Sequence, residues 1–229
     1  MSSTAYLVLS NGTVFEGRRV GATVDRIGEL VFTTGMEGYI ETLTDPSYYG
    51  QIVTQSFPLI GNYGIIEEDF EGDSALFGYV CRELSDTPSN FRSQYTVDEY
   101  LRRRGIPGIV GVDTRQIVRI TREEGVMNAM ICGRVPDDLG SIRDFSVVNA
   151  VRSVTCREPA LYPAEGEKRC RVTLIDYGLK RNIVRSLQRR GCEVRVVPAD
   201  TPAWAAKYVS PANVQQIALQ TLHNAMVSA

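Results

Sequence analysis

The chain of 229 residues predicts an α/β fold in two unequal parts. The first is a β-rich domain of about 150 residues, and the second is the opening of a parallel α/β sheet. Three observations carry this. Residues 1–85 hold short β-rich runs divided by Gly, Pro and Asn. Residues 96–132 interleave capped helical stretches with compact apolar strands. Residues 171–198 read strand, helix, strand, the unit from which parallel sheets are built.

Taken in order, residues 6–9 (YLVL) predict a strand, and Asn11-Gly12 is a strong hairpin signal with a return strand over 13–17. Residues 29–34 predict the next strand, entered from Gly28 and left through Gly35. Residues 51–57 alternate polar and β-branched residues before Pro58, and 76–82 is a further strand candidate. Thr96 caps a short helix, with Glu99 completing a capping box and Gly105 as its stop. A strand at 109–112 follows. Asp113-Thr114 then opens a helix to about Glu124 that Gly125 ends, and residues 126–132 form another strand.

The predicted first domain spans 1–156. Residues 157–170 predict a linker, with two prolines, a glycine and several charges but no periodicity. Residues 171–200 follow as strand, helix and strand, with Ile183, Val184 and Leu187 at helical spacing. The tail, 201–229, differs in composition and predicts an amphipathic helix, or foreign sequence joined to a truncated second domain.

The totals narrow the function classes. A net charge of −2 gives no electrostatic case for nucleic acid or an anionic membrane. No run of 18 apolar residues indicates a membrane span, and the N-terminus lacks the pattern of a secretory signal. Cys81, Cys132, Cys156, Cys170 and Cys192 are odd in number and widely spaced. A zinc site or disulfide framework is not expected, and a cytoplasmic location is. With His223 as the single histidine, any Cys/His or Ser/His pairing depends on that residue, and no two-histidine metal motif exists.

Residues 35–64 concentrate hydroxyls and turn residues where a partner can be met. Asp45-Pro46-Ser47 reads as a tight turn, with Ser47 either shaping the turn or offering its hydroxyl at an exposed tip. Gly61-Asn62-Tyr63-Gly64 reads as a sharp reversal. Asp113 reads as a helix cap, with an ion pair through Arg115 as the alternative. Arg102, Arg103 and Arg104 read as a solvated helix end.

Together, in order, these residues resemble one family. The set runs Asn11-Gly12-Thr13, Phe15, Gly17, Gly28-Glu29, Val31-Phe32, Thr34, Gly38-Tyr39, Glu41 and Thr44-Asp45-Pro46-Ser47-Tyr48. It continues through Gly50-Gln51-Ile52-Val53, Gly61-Asn62-Tyr63-Gly64, Ser89-Asn90, Gly105-Ile106, Gly108-Ile109 and Gly111-Val112-Asp113-Thr114-Arg115. It resembles the small chain of glutamine-hydrolysing carbamoyl-phosphate synthase, from about Tyr6 to Arg134 and again from Val172 to Asp200.

The resemblance implies a three-layer, swivelling β/β/α-like first domain and a class I glutamine amidotransferase domain, here truncated. It implies a large chain as partner, which carries ATP and Mg, and no cofactor in this chain. Ammonia from glutamine would feed carbamoyl phosphate synthesis for arginine and pyrimidines. Of the family's glutamine-contacting positions only Ser47 carries over. The family's G-x-C-x-G nucleophile turn and later H-x-E are missing, so no catalytic residue is assigned and glutamine hydrolysis by this chain alone is not expected. The non-enzymatic alternatives are a docking module for the large chain, or a fragment without independent function.

Overall fold

The computed structural model describes residues 4–201. The chain divides into two compact units, Met1–Val154 and Thr155–Ala229. The fold is mixed α/β, as the sequence predicts.

The first unit is a closed barrel of seven strands: β1 (Thr4–Leu9), β2 (Val14–Gly21), β3 (Arg26–Thr33), β4 (Gln51–Gln55), β6 (Gly78–Cys81), β8 (Pro107–Val110) and β9 (Met127–Cys132). Their order around the barrel is β1-β2-β8-β6-β4-β3-β9. The pairs β3/β4, β4/β6 and β6/β8 are parallel, and the other four are antiparallel. The antiparallel side is joined in part by tight turns. At Asn11-Gly12 the glycine takes φ 93°, and the Asn11 side chain accepts the Thr13 amide hydrogen at 2.9 Å.

Parallel neighbours cannot be joined by a tight turn, so each needs a crossover. Between β3 and β4 the crossover holds α1 (Tyr39–Thr44) and a 3-10 turn, Pro46–Tyr48. The stretch between β4 and β6 includes β5 (Leu59–Ile60). Between β6 and β8 come β7 (Glu83–Leu84), parallel to β5, and α2 (Val97–Arg103).

Side chains alternate across a strand, and the barrel wall uses both faces. One set, including Leu7, Leu9, Leu30, Ile52, Val80, Ile109, Ala129 and Ile131, fills one core. The opposite set, including Val31, Val53, Tyr79 and Cys81, packs with Tyr39, Ile40 and Leu43 of α1 and Tyr100 and Leu101 of α2. The narrow wall needs glycine at Gly17, where a Cβ would stand 2.5 Å from the Val110 carbonyl oxygen. Helix α3 (Thr114–Glu124) begins at Asp113, whose carboxylate accepts the Gln116 amide hydrogen at 3.0 Å, and ends at Gly125 with φ 87°. Its Ile117 joins the first core. Two short helices that the sequence did not predict, α4 (Gly140–Arg143) and α5 (Ala150–Val154), follow β9.

The second unit holds β10 (Ala160–Tyr162), β11 (Cys170–Asp176), α6 (Arg181–Arg189) and β12 (Cys192–Pro198). Strand β12 is central, parallel to β11 and antiparallel to β10. Val184 and Leu187 of α6 pack against Val194 and Val196. The expected linker, 157–170, is corrected here: its residues Ala160–Tyr162 are a strand. The prolines lie outside the run and so remove no amide hydrogen from its ladder with β12, which a reading by composition does not register. The expected tail helix, beyond Thr201, and His223 lie outside the described residues.

Candidate functional site

The region 35–64 is more helical than its turn-rich composition suggests. Helix α1 has glycine at its N-cap, Gly38 at φ 79°, and no side chain of its own to bind the first amides. Tyr63 supplies the acceptor from the next loop. Its phenol oxygen accepts the amide hydrogens of Gly38 at 3.1 Å and Tyr39 at 3.2 Å. The two rings stack with centroids 4.0 Å apart, and the Tyr39 hydroxyl donates to the Gly64 carbonyl oxygen at 2.8 Å. Burial pushes both phenols above their ordinary pKa, so both stay protonated near neutrality. This long-range cap has no local signal, which is why the sequence reading missed α1.

The turn carrying Ser47 follows directly. Asp45 accepts the Ser47 amide hydrogen at 2.9 Å, and Pro46 holds the first helical φ. The back of the turn is buried. Thr44 donates to the Ile40 carbonyl at 2.8 Å and accepts the Glu71 amide hydrogen at 3.0 Å, while Pro46 packs on Gly72. A side chain at Gly72 would meet Pro46 Cγ at 2.7 Å. Ser47 itself is exposed. The turn is closed by Asp45 and the backbone without its hydroxyl, so that hydroxyl is presented outward on a braced support.

Several other motif residues meet one another. Gln51 donates to the Glu29 carboxylate at 2.9 Å, and the Glu29 amide hydrogen goes to the Gly50 carbonyl at 3.0 Å. The Ser89 amide hydrogen goes to the Asn62 carbonyl at 2.9 Å, and Gly17 lies against Val110. These residues build the barrel and its crossovers. Asp113 is the cap of α3, and Arg115 is exposed with no ion pair to the described residues. Arg102, Arg103 and Arg104 pair at the surface with Asp98, Glu99 and Asp73. Glu99 therefore gives its carboxylate to Arg103, while Thr96 caps α2 through the Glu99 amide.

Neither Cys170 nor Cys192 sits on a strand-to-helix turn, since each begins a strand. The turn after β11 is held instead by Asp176. It accepts the amide hydrogens of Gly178 and Leu179 through one oxygen and that of Cys156 through the other, all at 2.8 Å. Among the described residues no group of three or more His, Cys, Asp or Glu is placed to hold a metal ion, and no helix is long and apolar enough to cross a membrane.

Comparison with known proteins fits the barrel unit. The family described as "Carbamoyl-phosphate synthase small chain, CPSase domain" matches residues 7–131, from β1 into β9. The carbamoyl phosphate synthase small chain of Listeria monocytogenes serotype 4b (strain F2365) is 44% identical over 202 residues, covering 86% of this chain and 55% of the relative. That of Bacillus anthracis is 42% identical over 209 residues, covering 90% and 56%. The chain thus spans about half the length of the curated relatives it matches. Through residues 7–131 this chain belongs to the carbamoyl-phosphate synthase small chain family.

Proposed function

We propose that this chain acts as the small-subunit component of a glutamine-dependent carbamoyl-phosphate synthase, docking with a large chain that binds ATP and Mg and makes carbamoyl phosphate. The observation that carries this is the closed barrel over the matched residues, with Ser47 displayed outward from a braced turn. In this reading the Ser47 hydroxyl contacts L-glutamine once an amidotransferase pocket is complete. The finer description of the barrel unit as a swivelling β/β/α-like domain belongs to the same reading. So do a cytoplasmic location and service to arginine and pyrimidine synthesis.

The chain supplies a support for glutamine rather than the chemistry that cleaves it. Thiolate attack on an amide needs a nucleophile, a base and oxyanion donors together. The 229 residues contain neither G-x-C-x-G nor H-x-E. Docking to the large chain without glutaminase activity is therefore the second reading, favoured by the same absence.

One experiment separates the two. The purified chain is mixed with the large chain, and complex formation and glutamine binding are measured. A complex that does not bind glutamine supports docking alone. Glutamine binding that weakens when Ser47 is replaced by Ala supports the fuller role. No complex at micromolar concentration overturns both.

A further inference from the structure

Cys170 opens β11 and Cys192 opens β12, and the two are register partners in the parallel ladder. Their side chains leave the same face of the sheet, where both join the apolar cluster under α6. Their Sγ atoms lie 3.4 Å apart. Neighbouring strands stand about 4.8 Å apart, within the roughly 4.4–6.8 Å of Cα separation that a disulfide spans. The backbone separation is therefore within the reach of a disulfide. Cys81 and Cys132 are buried in other clusters, and the Cys156 amide is bonded to Asp176 at the far end of β11.

We propose that Cys170 and Cys192 form a reversible redox site, a dithiol that low-molecular-weight disulfides convert to an intramolecular disulfide tying the starts of β11 and β12. Cys170 is half-buried and Cys192 is 6% exposed, so Cys170 reacts first. Its thiolate attacks one sulfur of the small disulfide, breaking that S–S bond and releasing one small thiol. The Cys192 thiolate then attacks the Cys170 sulfur of the mixed disulfide and releases the second. Two protein thiols are oxidised, one small disulfide is reduced, and the two protons leave on the two released thiols. Burial and then the neighbouring Cys170 push the Cys192 thiol up to about 11, while Arg190 and Arg169 act in the opposite sense. Burial thus keeps little Cys192 thiolate near neutrality, and closure quickens as pH rises.

The test equilibrates the full chain with reduced and oxidised glutathione, then traps free thiols by alkylation for mass spectrometry. The expected result is a fall from five free thiols to three, with a tryptic link between the peptides 170–171 and 191–195 that dithiothreitol removes. In Cys192→Ser a glutathione adduct on Cys170 replaces the link. Should that variant fail to fold, the wild-type chain still decides. The native chain should form the link at an oxidised-to-reduced glutathione ratio at least about tenfold lower than the urea-denatured chain. Five alkylatable thiols after native oxidation, or equal ratios for native and denatured chains, would overturn the proposal.

Discussion

Tyr63 stacks on Tyr39 while its phenol oxygen accepts the amide hydrogen that begins Tyr39's own helix, at 3.2 Å. One side chain thus supplies both the packing and the cap of α1, the helix that leads into the Ser47 turn. Replacing Tyr63 by Phe keeps the ring and removes the acceptor. The expected loss is about 1–3 kcal/mol, the usual consequence of stranding partly buried amides. It would be read as a lower urea midpoint at unchanged slope. An unchanged midpoint would mean that water caps the helix equally well.

Ser47 and Asp45 should behave oppositely. Ser47 is exposed and its hydroxyl closes no bond of the turn, so Ser47→Ala should leave stability within about 0.5 kcal/mol. Asp45→Ala removes the acceptor for the Ser47 amide and should lower stability by about 1 kcal/mol. Thermal melts of the two variants check this. Equal losses would assign Ser47 a structural part.

Alkaline pH should unfold the barrel unit through its buried acids. Burial raises the Cys81 thiol from 9.0 to about 12, opposed by Arg18, and the buried phenol of Tyr79 is also raised. The folded chain then holds protons that the unfolded chain releases. Stability from these groups is intact below pH 9 and declines as pH rises towards 12. Cys81→Ala should flatten the decline over that window by one proton's share, measured as urea midpoint against pH. An unaltered slope in the variant would remove Cys81 from the account.

Amide exchange should separate interior strands from edges. Strands β4 and β6 have neighbours on both sides, whereas β11 has one among the described residues. Exchange in β11 is expected to be at least about tenfold faster than in β4. Matching protection would show that the outer side of β11 is covered in solution.

Much of this was legible because the signals were local. Asn11-Gly12 gives its hairpin, Asp113 and Gly125 bound α3, and the β-branched run Ile52, Val53 and Thr54 marks β4. The closed barrel was not legible, because closure depends on which strands pair across the chain. Helix α1 was hidden because its cap arrives from Tyr63, and β10 because three residues carry too little pattern. At the candidate site, Ser47 was named through its turn and the family resemblance. The bracing by Thr44, Glu71 and Gly72 was not, since nothing in sequence ties residue 44 to residue 71.

The barrel is sealed by the first strand meeting the last, Leu7 opposite Ile131. During synthesis β1 must wait for nearly the whole unit before finding both its partners, β2 and β9. Such a fold gains little from growing strand by strand, because its contacts are distant and its closing step comes late. A nascent chain halted before Met127 would leave β1 and β3 each with an unpaired side at the same gap. Nascent chains of that length should therefore be the ones that engage chaperones most persistently.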